Sequence, residues 1–141
     1  MRAVISRVCS ASVTVDTEVV AAFTEPGLLV LLAVGLDDDL DSAATMARKI
    51  AELRLLREDR SVLDAGAPVL VVSQFTLYGD TRRGRRPSWS AAARPTHAKA
   101  LVEAALDALR ERGVRTYSGR FGADMAVASV NDGPFTILVE T

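Results

Sequence analysis

The sequence predicts a single α/β domain over residues 1–141, in which a mixed sheet carries both main helices on one side. Two runs are almost entirely apolar, as strands covered on both faces are. Two other segments repeat apolar residues at helical spacing. The elements follow one another as strands, helix, strand, helix and strands, an order typical of a mixed α/β domain.

Alternation of apolar and polar residues predicts half-buried strands near the N-terminus. These strands cover residues 2–8, 11–15 and 18–23. The run from Leu28 to Val34 is apolar on both faces, and Pro68 to Phe75 is a second run of this kind. We expect these two runs to be the buried strands of the sheet.

A first helix is predicted to begin at Asp37–Asp39, where carboxylates suit the positive end of the helix dipole. Its buried stripe comprises Ala43, Met46, Ala47, Ile50 and Leu53. A second helix is predicted from about Thr96 to Arg112, and Gly113 is well placed to end it. Its stripe comprises Ala98, Leu101, Val102, Ala105 and Leu109.

The remaining segments complete the expected fold. Residues 57–67 and the polar stretch 79–94, rich in Arg, Gly and Pro, are predicted loops. The closing strands are predicted over 114–117, 125–130 and 135–139. We expect the strand pairs at the two termini to form a second small sheet.

Composition favours a folded protein of the cytoplasm. Hydrophobic residues make up 49% and charged residues 25%, which provides for a core and argues against disorder. The single cysteine, Cys9, excludes an internal disulfide and fits a reducing compartment. The N-terminus lacks the apolar block of a signal peptide, and no apolar run approaches the about 20 residues that span a bilayer. We therefore expect no membrane partner.

Several kinds of chemistry lack their residues in this sequence. The one histidine, His97, is most simply an exposed residue of a helix's first turn, and no G-x-S-x-G elbow accompanies it. One Cys and one His do not make a zinc site, and no acidic cluster has ligand spacing. No phosphate-binding glycine loop follows a strand. We predict neither a metal nor a cofactor.

Two strand ends carry small polar groups instead. At Ser73-Gln74-Phe75-Thr76 the chain leaves a buried strand, where backbone N–H groups lose their ladder partners and are able to hold an oxyanion. No base is available to activate Thr76, so positioning is favoured over covalent catalysis. The alternative is that Ser73 and Thr76 only cap the strand end.

The second polar strand end is Asn131-Asp132-Gly133-Pro134-Phe135-Thr136. A cis Gly133-Pro134 bond would form a tight type VI turn that exposes neighbouring carbonyls. A trans bond in an ordinary hairpin loop is the alternative, and base rates favour it.

Arginines are concentrated in one loop although the net charge of the chain is −1. Clustered guanidinium groups suit phosphate, and Trp89 in the same loop could stack on a base. A solvated loop is the alternative. A functional loop would indicate a polyanionic substrate whose reactive end lies near Thr76. The loop arginines are Arg82, Arg83, Arg85 and Arg86.

These blocks, in this order, resemble the D-aminoacyl-tRNA deacylases nearly end to end. Near the N-terminus, the resemblance rests on Arg7-Val8, on 11–15 and on 27–32; it continues through 71–77, Asp80-Thr81, Gly84, 86–88, Ser90, 119–121, 123–125, 131–134 and Thr136. The sequence departs from the family in its short segment 58–64, which lacks several residues of a usually longer loop. It is also unusually basic over 82–86.

The resemblance implies a homodimer with a three-layer α/β/β fold that hydrolyses the ester between a D-amino acid and the 3′-terminal adenosine of tRNA. It implies active sites at the subunit interface and an attacking water helped by the ribose 2′-hydroxyl. Residues implied to line the pocket are Ser73, Gln74, Phe75 and Thr76. The implied chiral wall is the cis pair Gly133 and Pro134, with Asn131 in the same motif and Arg7 steadying it.

Two consequences follow from a wall that excludes L side chains. Glycine has no side chain to reject, so mischarged glycyl-tRNA should be cleaved as well. Since selection acts at the aminoacyl end, tRNA needs only phosphate contacts from Arg82, Arg83, Arg85 and Arg86.

Three other functions remain open at this point. The chain could be an RNA-binding module without catalysis that uses the arginine loop and Trp89. It could be a small-molecule esterase that uses His97. It could also be an editing domain for L-aminoacyl esters, although the match over Asn131 to Pro134 argues against this.

Overall fold

The computed structural model describes residues 1–141, and the mixed α/β class is confirmed. The strands are β1 (Arg2–Val15), β2 (Glu18–Phe23), β3 (Gly27–Ala33), β4 (Pro68–Ser73), β5 (Arg115–Ser118) and β6 (Met125–Glu140). The α-helices are α1 (Leu40–Glu52), α2 (Val62–Ala65) and α3 (Pro95–Glu111). None of the helices is long and apolar enough to cross a membrane.

Strand β1 organises the sheet. It pairs antiparallel with β6 along its whole length. On its other edge it pairs with β3 through residues 2–8 and with β2 through residues 11–15. Strands β3, β4 and β5 then continue the sheet in parallel. Parallel neighbours require crossover connections, and α1 and α3 lie in these two connections.

All six strands belong to one sheet, so the strands at the termini do not form a separate second sheet as expected. The reason is that β1 is continuous. Residues 2–8 and 11–15 were predicted as two strands, but Cys9 and Ser10 stay extended between them and β1 runs through. The register against β6 shifts by one residue between Val8 and Ser10, which accommodates the extra residue in β1.

Two hydrophobic clusters lie on opposite faces of the central strands. The larger holds the helical stripes against one face, with Val30 and Val71 among its members. Leu29 and Leu70 point to the other face, into a smaller cluster closed by β2 and the distal half of β1. The rings of Phe23 and Tyr117 lie 6.1 Å apart across this cluster, so the sheet curls until β2 covers β5. Burial on both faces explains the nearly unbroken apolar runs.

Two predicted element boundaries were wrong. Residues 57–67 are not a plain loop, because a 3-10 turn spans Arg57–Asp59 and α2 follows it. Helix α2 begins with a capping box between Ser61 and Asp64, a local signal too short to read as a helix. The second buried strand ends at Ser73, since Phe75–Tyr78 forms a 3-10 helix rather than a strand end.

The two closing strands over 125–130 and 135–139 are one strand with an excursion. Thr136 pairs with Ser6 and Asn131 pairs with Val8, so residues 132–135 lie opposite Arg7 alone. Four residues have no room beside one, and the chain must loop out of the ladder at this point. This excursion presents the Gly-Pro pair.

The buried stripe of α1 should carry much of the stability. Ile50 is fully buried in the larger cluster, and Ile50→Ala should lower the free energy of unfolding by about 2–5 kcal/mol, because the lost contacts leave a cavity. Chemical denaturation monitored by circular dichroism measures this. Leu40→Ala on the same helix is the matched control, since Leu40 is 67% exposed and should change stability little. Equal effects of the two variants would contradict this packing.

Candidate functional site

A cavity of about 620 Å³ opens at the carboxyl ends of β3 and β4. Its walls come from the end of β4, the start of α3 and the segment before β6. Ligands of α/β sheets commonly bind outside the carboxyl ends of parallel strands. The lining is largely apolar, with Asp124 as its one charged side chain and no His, Cys or Lys.

The end of β4 gives the cavity its polar groups. The backbone N–H of Gln74 donates to the Leu32 carbonyl at 2.8 Å, the last bond before the chain turns away. Phe75 and Thr76 then begin a 3-10 helix, whose first N–H groups have no acceptor within the helix. The turn therefore places N–H groups without a helical partner next to the cavity, and such groups are the kind that hold an oxyanion.

Three of the four residues predicted here line the cavity: Ser73, Gln74 and Phe75. Thr76 does not line it. The Thr76 hydroxyl instead accepts a hydrogen bond of 2.5 Å from the Gln74 amide, which fixes how Gln74 is oriented. The ring of Phe75 meets that of Trp89 edge to face, with centroids 5.9 Å apart. These two exposed rings form an aromatic rim at the cavity mouth.

The excursion of β6 is tied to β1 at its base. The Gly133-Pro134 peptide bond is cis. Arg7 Nε donates to the Asp132 carbonyl at 3.0 Å, and its guanidinium lies 4.7 Å from the centroid of the Phe135 ring. The Asn131 side chain donates back to the Arg7 carbonyl at 2.8 Å. Both predicted partners of the Gly-Pro pair, Arg7 and Asn131, therefore contact this turn.

A second arginine, which the sequence analysis missed, also binds the turn. Arg57 donates to both carboxylate oxygens of Asp132, at 3.0 and 2.6 Å, while Arg7 Nε lies 3.2 Å from the same carboxylate. Hydrogen bonding to Arg57 lowers the pKa of Asp132, and the charge of Arg7 adds to the effect. Asp132 thus lies between two guanidinium groups and is ionised at neutral pH. Arg57 is 75 residues from Asp132 in the chain, and no local pattern links them.

Gly133 and Pro134 do not line the cavity of their own chain. A Cβ added at Gly133 would lie 2.7 Å from Asn131 Oδ1, so a larger residue there would displace the Asn131 side chain that binds the Arg7 carbonyl. The turn is thus fixed by contacts within its own protomer, and its Gly-Pro pair is not part of the lining of its own pocket.

The arginine loop is fully exposed over residues 81–90. Its base is closed by two backbone hydrogen bonds between Asp80 and Ser88, at 2.7 and 3.0 Å. Arg82 is bound to the Asp80 carboxylate at 2.6 and 2.9 Å, and this pairing lowers the pKa of Asp80. Arg83, Arg85 and Arg86 form no ion pair and remain available for anions.

His97 is exposed, and its Nε2 lies 2.9 Å from the Asp38 carbonyl oxygen. It contacts no serine hydroxyl and does not line the cavity, so the geometry offers no serine-histidine pair for an esterase. No group of three or more His, Cys, Asp or Glu side chains is arranged to hold a metal ion.

Comparisons with known proteins agree on one family. The family model described as D-Tyr-tRNA(Tyr) deacylase matches residues 4–140. A protein of Kineococcus radiotolerans named D-aminoacyl-tRNA deacylase is 59% identical over 140 residues, with 99% of each chain covered. One of the same name from Streptomyces coelicolor is 52% identical over 140 residues, again with 99% of each covered.

Solved structures are similar over the whole chain. The c-Myc DNA unwinding element binding protein superposes with a TM-score of 0.92 at 37% identity, covering 100% of this chain and 99% of that one. A probable eukaryotic D-amino acid tRNA deacylase has a TM-score of 0.89 at 16% identity, covering 99% and 98%. The second likeness shows the fold alone.

The double ion pair at Asp132 predicts a measurable titration shift. Asp132 should titrate below the ordinary value of 3.8 for an aspartate, and Arg57→Gln should raise its pKa toward that value while Arg7 retains part of the shift. Carboxyl-detected NMR titration measures both. Because the folded-state pKa is lowered, the stabilisation from this pair is present above the unfolded pKa and is lost as pH falls through the lowered value.

Arg54→Gln is the matched control for this titration. Arg54 lies on the same segment but pairs with Asp59 at 3.5 Å, so its removal should leave the pKa of Asp132 unchanged. An Asp132 pKa that does not respond to Arg57→Gln would contradict the double ion pair.

Proposed function

The chain belongs to the D-Tyr-tRNA(Tyr) deacylase family, and we propose that it hydrolyses the ester bond of D-aminoacyl-tRNA, releasing the D-amino acid and free tRNA. The observation that carries this proposal is the family match over residues 4–140, which includes both strand ends that form the site. The enzyme is a hydrolase that proofreads chirality by rejecting L-aminoacyl esters.

The cavity supports a reaction without a protein base. Its lining has no histidine, cysteine or lysine, and its one carboxylate, Asp124, is exposed and has no hydrogen-bond partner that would orient it as a base. We propose that the substrate's own ribose 2′-hydroxyl helps the attacking water, while the protein positions the ester and stabilises the oxyanion. Orientation and preorganised donors account for large rate effects without any protein nucleophile.

The end of β4 is the proposed catalytic element. Ser73, Gln74 and Phe75 hold the terminal adenosine and the aminoacyl carbonyl, with backbone N–H groups of the 3-10 turn facing the oxyanion. Thr76 acts through Gln74, since its hydroxyl binds the Gln74 amide. A mainly apolar lining suits a nucleobase and an amino-acid side chain.

The enzyme distinguishes D- from L-amino acids by a polar wall, the Gly133-Pro134 pair, rather than by an apolar pocket that fits one side chain. A pocket that only prefers one side chain gains about 1–3 kcal/mol per methylene, which is weak discrimination. An L side chain pressed against the Gly133 and Pro134 carbonyls would clash with them and remove their hydration. Arg7 and Asn131 hold this wall in place. Glycine presents nothing to the wall, so glycyl-tRNA mischarged on a non-cognate tRNA should be a substrate.

The wall serves the pocket of a second copy in a homodimer. This proposal is supported by the absence of Gly133 and Pro134 from the lining of their own cavity. It is also supported by an exposed segment over 126–131 of β6, where Val127 and Val130 are 37% and 58% exposed. Apolar side chains exposed along a strand suit a partner surface. A three-layer α/β/β protomer belongs to the same proposal, with both β layers supplied by the single sheet, which curls until β2 covers β5.

The exposed arginine loop is the proposed tRNA contact. Arg83, Arg85 and Arg86 have no competing carboxylate, whereas Arg82 must share its guanidinium with Asp80. Such contacts would read phosphates rather than sequence. We place the enzyme in the cytoplasm, where charged tRNA is used.

The primary test is hydrolysis of paired substrates. The wild-type protein should cleave D-tyrosyl-tRNA and spare L-tyrosyl-tRNA by about a hundredfold or more in kcat/KM, because polar exclusion discriminates more strongly than apolar fit. Release of labelled amino acid measures both rates. An RNA-binding module would spare both esters, and an L-specific editing domain would reverse the preference.

Two variants distinguish selection by the Gly-Pro turn from an esterase that uses His97. Asp132→Ala should lower the ratio of kcat/KM for D-tyrosyl-tRNA to that for L-tyrosyl-tRNA by roughly tenfold or more. The reason is that the turn loses its anchor, and displacing a positioning group by about 1 Å has effects of that size. His97→Ala is the control and should leave the ratio and the D rate unchanged. Loss of D-ester hydrolysis in His97→Ala would favour the esterase instead.

If each active site combines the pocket of one protomer with the Gly-Pro turn of its partner, a chain with an intact turn should restore selectivity to a partner chain with an intact pocket. Gln74→Ala chains have an impaired pocket but an intact turn, and Asp132→Ala chains have the reverse. The two variants are co-expressed with Gln74→Ala in tenfold excess, so that most Asp132→Ala chains pair with a Gln74→Ala chain. Most Asp132→Ala pockets should then face the intact turn of a partner. The rate of L-tyrosyl-tRNA hydrolysis per Asp132→Ala chain should therefore fall toward the wild-type level. An unchanged L rate would mean that each turn serves its own pocket.

A further inference from the structure

A second cavity, of about 400 Å³, adjoins the first and has a different character. It lies between α3 and the segment that follows β5. Ser73, Val102 and Phe121 line both cavities, so the two meet at the polar end of β4. A ligand in the first cavity that contacts these shared residues therefore lies next to the second cavity.

The second cavity is cationic. Lys99 and Arg110 reach it from α3 and Arg120 from the following segment, while Glu103 is its one acidic residue. The lining residues carry three positive charges and one negative, a net charge of +2 when the ion pairs of Arg110 with Asp107 and of Arg120 with Glu18, which lie outside the lining, are left out. The first cavity, by contrast, has one charged residue, the acidic Asp124.

Each cation is paired, but only weakly. Arg110 binds Asp107 at 2.9 Å, Arg120 binds Glu18 at 3.2 Å, and Lys99 lies 3.7 Å from Glu103. All of these side chains are half or more exposed. Exposed ion pairs contribute little to stability, so an anion with several acceptor oxygens can replace the carboxylates at small cost.

The chemistry of the proposed substrate supplies such an anion at this distance. The ester is on the ribose of a terminal adenosine, and the 5′ oxygen of the same ribose carries the phosphodiester to the preceding nucleotide. A phosphate one bond beyond the sugar must lie beside the nucleoside pocket. Guanidinium groups bind phosphate oxygens through paired hydrogen bonds.

We propose that the second cavity binds the phosphodiester on the 5′ side of the terminal adenosine, with Arg110 and Arg120 as its ligands and Lys99 as supporting charge. This inference rests on the proposed deacylase function. The arginines of the loop, Arg82, Arg83, Arg85 and Arg86, line neither cavity, so they serve phosphates farther along the tRNA.

The test compares two small esters that differ only in the phosphate. One is the 3′-D-tyrosyl ester of adenosine, and the other is the same ester of adenosine 5′-monophosphate. Wild-type protein should cleave the phosphorylated ester with a kcat/KM roughly tenfold or more higher, the size expected for hydrogen bonds between charged groups. Arg110→Gln/Arg120→Gln should reduce that ratio to near one and leave the unphosphorylated ester unaffected.

Two further variants test whether the preference for the phosphorylated ester comes from the second cavity. Arg112→Gln is the matched control, because Arg112 lies at the end of α3, pairs with Glu52 at 3.2 Å and is outside both cavities. It should keep the wild-type ratio. Glu103→Gln removes the competing carboxylate and should raise the ratio above wild type, a gain that a misfolded protein would not give.

The possible results separate the phosphate site from the deacylase activity on which it rests. Wild-type hydrolysis of both D-esters at equal rates, or an unchanged ratio in the double variant, would overturn the phosphate site and leave the deacylase intact. A double variant that loses both esters equally would also overturn it, since the cavity would then support the nucleoside pocket rather than the phosphate. Failure of the wild type to cleave both small D-esters and D-tyrosyl-tRNA would remove the proposed function and the inference together, whereas failure on the two small esters alone would overturn only the inference.

Discussion

The position of Asp132 between two arginines is the interaction on which the proposed selectivity depends. Residues 132–135 of β6 have only Arg7 opposite them on β1, so the ladder cannot hold them and side chains must. Arg7 is the firmer anchor, because it is 11% exposed and reaches both the carbonyl and the carboxylate of Asp132. Arg57 is 67% exposed, so its bidentate ion pair with Asp132 is more sensitive to salt. It therefore contributes less than Arg7 to holding the turn in position.

A turn held in this way can present main-chain groups to a substrate without moving with it. Its anchors lie on β1 and on the 3-10 turn at Arg57, both in the same protomer. The donors at the end of β4 are fixed separately, by the bond from Gln74 to Leu32 and by the contact between Gln74 and Thr76. In the proposed function, these two elements with independent supports would allow the turn to exclude the wrong stereoisomer while the end of β4 stabilises the reacting carbonyl.

The sequence was most informative where a signal was local and periodic. The buried runs became β3 and β4, and the stripes of the two main helices are buried in the larger cluster at every predicted position except Leu53. Leu53 falls one residue beyond α1 and is 37% exposed, because the chain has already turned extended there. What the sequence could not indicate was the continuity of β1 or the contact between Arg57 and Asp132. Both depend on partners far along the chain, and neither leaves a local pattern.

The arrangement of charge follows the division between the two cavities. A chain of net charge −1 exerts no general attraction on a polyanion, so affinity has to come from local groups. Acidic neighbours form ion pairs with Arg82, Arg110 and Arg120. In the proposed phosphate site, the carboxylates compete with free anions for Arg110 and Arg120, whereas a phosphate attached to a nucleoside already bound in the apolar cavity would be held beside these arginines and would replace the carboxylates at small cost. Binding strength is then coupled to correct placement of the ester, which is what an enzyme without a base of its own requires.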